Sequence, residues 1–306
     1  MTAPHWSKAK ESGSILGIRV LLWVHRIFGY LGFRVILLPV MGYYYLNNKV
    51  ARDASKQYLN FLAPYLTPEQ RRSLSSFKHF FMFGEMMLDK FLAWGGNFNR
   101  DNVVFETGQL VKQLDRSKKG GIIIVSHLGN TEVSNALGQQ LPNIKLTLLV
   151  STLHAEKFNS LMKNVSSSPN IKILQVDDIS PATAMMLSER IDQGEFIVIA
   201  GDRTPNNESQ ARVSIVDFLG HNAALPQGAF ILASLLKCPV YLMFCLKQQS
   251  IYHIYVELFS ECLIIPRKNR AQNIHDTVQS YAARLEYYCK KAPLQWFNFF
   301  PFWKEP

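Results

Sequence analysis

What the chain lacks narrows it first. Nowhere do about 20 uninterrupted apolar residues occur, the length a spanning helix wants, and mean hydropathy is far below that of a polytopic membrane protein. No zinc-finger, helix-turn-helix or RNA-binding aromatic pattern appears, and the basic residues are spread rather than striped, which speaks against a nucleic-acid partner. There is no G-x-S-x-G elbow to expose a nucleophilic serine. Cysteine is scarce: Cys238, Cys245, Cys262 and Cys289 show no C-x-x-C spacing and mostly adjoin apolar runs. They read as buried thiols of a reducing compartment. The histidines have no metal-site spacing, so neither a metal nor a cofactor is expected. Internal repeats and low-complexity tracts are absent.

What is present suits a protein lying on a bilayer. The 306 residues are 48% hydrophobic and 12% aromatic, ample for a core. Mean hydropathy is -0.01, high for a water-soluble enzyme. The net charge of +10 and pI near 9.4 favour anionic partners such as lipid headgroups or an acidic protein.

The apolar stretch from Ser14 to Leu46 is interrupted by Arg19, His25, Arg26 and Arg34. On a helix, Arg19, Arg26 and Arg34 share one side, against Leu21, Val24, Phe28, Leu31 and Val35 on the other. That predicts a helix in the headgroup plane, broken near Gly29, Gly32 and Pro39, with a core-packing helix or a single span as alternatives. The run is too long and too charged for a signal peptide. The expected division is a membrane-associating helical segment, 1–48, and a domain of 49–306 with a helical cap to about residue 100.

Within the cap, helices are predicted over Ala51–Leu62 and Phe77–Trp94. From Gly121 the rhythm changes. Apolar strands at 122–125, 146–150, 171–176 and 196–200 alternate with helical patterns at 132–141, 155–164 and 181–192. This predicts an α/β fold, a largely parallel sheet flanked by helices. A hairpin over 239–246 and 252–259 follows, then a helix at 271–290 and an aromatic tail, Trp296 to Trp303, expected to close the core. Arg190 and Arg212 read as surface charges, and His154 and His221 as surface or core histidines.

The segment Gly121-Ile-Ile-Ile-Val-Ser-His127-Leu-Gly-Asn130-Thr-Glu132 carries the chemistry. A buried strand ends at His127, the backbone turns, and Glu132 falls in the first turn of a helix. Ligands of open α/β sheets bind beyond the carboxyl ends of strands. Histidine suits general-base work near neutral pH, and a neighbouring carboxylate can orient the ring and stabilise the imidazolium. The same pattern also fits a strand-ending histidine satisfied by backbone and a glutamate favoured by the helix dipole. Gly201-Asp202-Arg203 ends another buried strand, where Arg203 either binds a phosphate or pairs with Asp202. Phe218 to Pro226 reads as an apolar loop before a helix, packing under the sheet edge or lining an acyl trough.

The blocks Ser-His127-Leu-Gly-Asn-Thr-Glu132, Gly201-Asp202-Arg203-Thr-Pro205, Phe-Leu-Gly220, Leu-Pro226-Gln-Gly228 and Cys238-Pro239-Val, in this order, resemble the lipid A late acyltransferase family, within the lysophospholipid acyltransferase-like proteins. The resemblance covers most of the chain. It implies a glycerolipid-acyltransferase-like fold with a membrane element, an acyltransferase domain over 49–306, and His127 and Glu132 as catalytic base and orienting partner. Asn130, Gly201, Asp202, Arg203, Gly220 and Pro226 are then expected to bind substrate. The implied donor is an acyl thioester on acyl carrier protein or CoA, and the implied location is the cytoplasmic face of a bacterial inner membrane, peripheral or by a single anchor. The tail departs from the family's basic Trp-x-His-Arg-Arg-Phe type, ending Trp296-Phe-Asn298-Phe-Phe-Pro-Phe-Trp303, which implies a divergent branch with another lipid, glycolipid or polyene-type acceptor. A hydrolase using the same cleft, or a non-catalytic lipid-binding protein, are the rival readings.

Overall fold

The computed structural model describes residues 15–94, 98, 102–133, 141, 143–150, 170–175, 179–203 and 212–303. The helical readings at 155–164 and, beyond Val133, at 132–141 lie outside these residues, as does His154.

The long first helix, α1 (Ile15–Asn47), breaks its geometry at Gly29, whose φ of 66° only glycine adopts freely, and it contains Pro39. The segment Val20–Asn47 is long and apolar enough to cross a membrane. Its residues divide between two surroundings. Phe33, Leu37 and Met41 are buried, packed with Phe80 and Leu88. Trp23, Phe28, Leu31 and Val35 stay exposed. On the predicted basic side Arg26 and Arg34 are exposed, Arg34 with its Nε on Glu85 at 2.9 Å, while Val24 on the apolar side is buried. The Arg19 side chain lies outside the described ones.

Helix α2 (Lys49–Leu62) is capped by the Asn48 side chain on the Ala51 N–H, and the short α3 (Pro68–Ser73) by a Thr67–Gln70 capping box. Then α4 (Ser76–Trp94) lies against α1 and over the sheet. Its buried Asp89 accepts from Lys247 Nζ at 2.6 Å and from the Tyr252 hydroxyl at 2.6 Å, pinning the helix down.

The sheet holds β1 (Val103–Phe105), β2 (Gly121–Val125), β3 (Lys145–Val150), β4 (Ile171–Gln175), β5 (Glu195–Ala200), β8 (Val240–Gln248) and β9 (Ile251–Ser260), in the order β1-β9-β8-β2-β5-β3-β4. Among the described residues every neighbouring pair is parallel except β8 and β9, which form the predicted hairpin. A parallel sheet needs cover on both faces. On one face lie α4 and α5 (Gly108–Arg116); the other carries α2, α7 (Gly228–Leu236), α8 (Arg270–Lys291) and the tail. Strand β2 runs through the middle. Ile122 and Ile124 face one layer, Ile123 and Val125 the other, and each buried side chain stabilises by roughly 2 kcal/mol. The helix α6 (Pro181–Asp192) has the predicted bounds and a Ser180 cap.

Two sequence readings need correction. Phe218 to Pro226 is not a loop but half of a separate hairpin, β6 (Val213–Phe218) with β7 (His221–Pro226), turning through Leu219 and Gly220, both at positive φ. Arg190 is not a plain surface charge: its guanidinium donates to Thr147 Oγ1 at 2.8 Å beside the buried Glu195, so that strand β3 and strand β5 share one polar cluster. Arg212 is exposed, as expected.

Candidate active site

Strand register explains why two distant sequence blocks meet. Strands β2 and β5 run parallel with Val125 opposite Ala200, and the Gly201 N–H continues the ladder to the Val125 carbonyl at 2.9 Å. Two residues further on, each chain presents a functional side chain, His127 from one and Asp202 from the other. They bond twice. The His127 backbone N–H donates to Asp202 Oδ2 at 2.8 Å, and Nδ1 lies 2.8 Å from Oδ1. A third donor, the Trp296 indole, reaches Oδ2 at 3.0 Å.

Electrostatics fix the tautomer. Burial by itself would raise the Asp202 carboxyl, but the imidazole charge, its hydrogen bond and Arg203 outweigh burial and hold it at about 2. An ionised carboxylate only accepts, so Nδ1 carries the hydrogen and Nε2 keeps its lone pair. Burial, then Arg203 and Lys90, push the His127 ring below its ordinary value, against the opposing pull of Asp202. The ring is therefore neutral near pH 7, the form a base requires.

Between the strand end and Glu132 the backbone turns at Gly129, whose φ is 76°. A side chain there would drive into the Cys245 carbonyl, so the turn tolerates only glycine. Asn130 is buried; its backbone N–H bonds to Cys245 O at 2.9 Å and its side-chain amide to Met86 O at 3.1 Å, which ties the turn to β8 and α4. A helical turn opens at Thr131, and Glu132 Oε1 forms an ion pair with Lys90 Nζ of α4 at 2.8 Å.

These groups border a cavity of ≈ 470 Å³. His127, Asn130, Glu132, Lys90 and Arg203 give it a polar end, while Met86 and Met87 of α4, Leu148 of β3, Val198 of β5 and Phe297, Phe299 and Phe300 of the tail make the rest apolar. A polar head with an apolar trough suits a long-chain substrate. Arg203 donates to the Phe297 carbonyl at 2.8 Å and stacks over Phe300.

Of the residues named from sequence, His127, Asn130, Glu132 and Arg203 share this cavity, with Asp202 directly behind His127. Gly201 packs its Cα against Ile124 and Tyr281, where a side chain would not fit. Gly220 and Pro226 lie in the β6–β7 hairpin, outside the cavity lining: Gly220 makes the turn with its N–H on Asp217 Oδ1 at 3.2 Å, and Pro226 pairs with Val213. The place at Nδ1 that the sequence reading gave to Glu132 belongs to Asp202, because strand register delivers it there. Two contributors escaped the sequence reading. Lys90 sits in a helix read only for its apolar stripe, and Trp296 lies in a tail read only as core. The common offset, a candidate side chain two residues past the end of each buried strand, is the signal that could have paired His127 with Asp202.

The chain matches the model of the family described as bacterial lipid A biosynthesis acyltransferase over residues 3–305. Comparison with curated proteins finds no match.

Proposed function

The chain belongs to the bacterial lipid A biosynthesis acyltransferase family, and on that premise we propose that it moves a fatty acyl group from an acyl thioester to a hydroxyl or amine of a lipid or glycolipid. The observation that carries this reading is His127 tied through Nδ1 to Asp202 at one end of an apolar cavity.

In the proposed reaction, His127 Nε2 takes the proton of the acceptor O–H or N–H as the acceptor atom attacks the thioester carbonyl. The new carbon–oxygen or carbon–nitrogen bond forms, the carbon–sulfur bond breaks, and the leaving thiolate recovers the proton from the imidazolium. Asp202 holds the tautomer and stabilises the transient charge. Glu132 adds a second carboxylate on the cavity wall, kept in place by Lys90, and stabilises the imidazolium from there. Lys90 and Arg203 supply positive charge near the developing oxyanion. The acyl chain lies along the methionine and phenylalanine side chains.

The donor is carried by acyl carrier protein or CoA, an acidic carrier agreeing with the net charge of +10. The exposed Trp23, Phe28, Leu31 and Val35 support attachment of α1 to a membrane, which on this reading is the bacterial inner membrane from its cytoplasmic side. The test uses purified protein in lipid nanodiscs with radiolabelled acyl thioester on either carrier, with and without bacterial lipid extract. Label moving into lipid, and not doing so with His127→Ala, is the expected result. Free fatty acid released equally without lipid would make the protein a hydrolase, and undiminished transfer by the variant would remove His127 from the chemistry.

A further inference from the structure

The tail was expected to close the core, and it does, but residues 295–297 do more. They run beside the catalytic loop: Gly129 N–H donates to Gln295 O at 2.8 Å and Phe297 N–H to His127 O at 3.0 Å, with Leu128 and Trp296 as an antiparallel bridge between them. Trp296 is thereby stitched on both sides to the segment that carries His127. It is almost fully buried, with Tyr58, Phe218 and Phe302 edge-on against its ring.

Both polar ends of Trp296 are occupied. Its carbonyl lies 2.9 Å from His79 Nε2. A carbonyl only accepts, so that nitrogen carries the hydrogen, and Nδ1 accepts from the Ser55 hydroxyl at 3.0 Å, itself bonded by Ser76 at 2.9 Å. This chain of bonds fixes the backbone of Trp296 from α2 and α4. Its indole N–H is the third donor on Asp202.

We propose that Trp296 is a positioning residue of the active site: its indole N–H holds Asp202 Oδ2 so that Oδ1 stays directed at His127 Nδ1. This deepens the acyl-transfer reading and rests on it only for the consequence to turnover. The two carboxylate oxygens are otherwise equivalent and the group can rotate. With the indole and the His127 backbone N–H both on Oδ2 and Nδ1–H on Oδ1, twisting the carboxylate plane would break all three hydrogen bonds, so the plane is held with one oxygen on Nδ1. Among the described residues the charged or titratable groups around His127 are Asp202 and Arg203 from the end of β5, Lys90 from α4, and Glu132 from its own loop.

The experiment compares two indoles. Trp296→Phe keeps an aromatic ring and removes the donor to Asp202, whereas Trp303→Phe removes an indole that donates to the Phe218 carbonyl at 3.2 Å. Full-length protein with 15N-labelled histidine, in detergent micelles, is titrated by NMR, with His127→Gln used to assign the resonance. Without the indole the carboxylate turns from Nδ1 and stabilises the imidazolium less, so the His127 midpoint is expected to fall in Trp296→Phe and to match wild type in Trp303→Phe. In parallel, kcat should fall about tenfold in Trp296→Phe with KM unchanged. A His127 midpoint that stays put or rises in a folded Trp296→Phe protein overturns the proposal. The titration requires no turnover, so a lowered midpoint in a protein that transfers no acyl group upholds the positioning and rejects the acyltransferase reading instead. Should Trp296→Phe not fold, 15N-indole spectra decide: the Trp296 indole proton should move upfield in Asp202→Asn, and an unmoved resonance overturns the proposal.

Discussion

Two carboxylates flank the site, Asp202 sealed behind His127 and Glu132 on the cavity wall, and the two are held in opposite ways. Asp202 is 1% exposed and takes three hydrogen bonds, two of them from His127. Glu132 keeps 18% of its side chain accessible and meets a lysine from another element. A sealed, fully bonded carboxylate serves as a fixed part, whereas an ion pair at a cavity wall can rearrange when substrate enters. On the proposed function, orientation of the base falls to Asp202 and contact with the incoming reactants to Glu132.

The sharpest way to break that assignment is Asp202→Asn. Its amide can place a donor against Nδ1, forcing the ring hydrogen to Nε2 and abolishing the base, so kcat should drop by about 10³-fold with the fold intact. Glu132→Gln should cost less, about 10- to 50-fold, because the ring keeps its tautomer. If steady-state assays reverse that order, the two carboxylates have exchanged roles.

Acid should weaken the sealed end. The buried His79 is pushed down to about 4 by burial, partly opposed by its bond to Trp296. The unfolded chain therefore binds a proton between pH 6.5 and about 4 that the folded protein refuses. Stability is full above pH 6.5, falls as pH drops toward 4, and levels off below, a loss of roughly 3 kcal/mol. Denaturant midpoints measured across that range check it, and His79→Gln should flatten the profile. Lys90→Gln gives the smallest effect. Removing one of the charges that hold His127 low should move the acid limb of kcat/KM slightly to higher pH, and an unmoved limb would place Lys90 outside the field of the base.

Local pattern made much of this molecule legible. The unbroken Gly-Ile-Ile-Ile-Val run of β2, the Ser180-capped helix α6 and the β8–β9 hairpin are all readable because propensity, caps and burial agree within one segment. The β6–β7 hairpin was missed since its turn puts Leu219, not glycine or asparagine, at positive φ, where leucine gives no turn signal. His127 and Glu132 were legible as one motif. Their partners were not: Asp202 is 75 residues from His127 and Trp296 a further 94, and only sheet register and a returning tail bring them together. Arg190 was misread for the same reason, its role being set by Thr147, 43 residues away.

One practical consequence follows from α1. Peripheral enzymes are commonly made tractable by trimming the greasy leader, but here Phe33, Leu37 and Met41 are inside the protein, Leu37 and Met41 sit within van der Waals reach of Gly84, and Arg34 neutralises Glu85. Cutting the helix away would strand a buried anion and expose the underside of α4, the same helix that presents Lys90 to the cavity. A soluble variant is better sought by recolouring the outward residues Trp23, Phe28, Leu31 and Val35 with polar side chains, which frees the enzyme from detergent while leaving its scaffold whole.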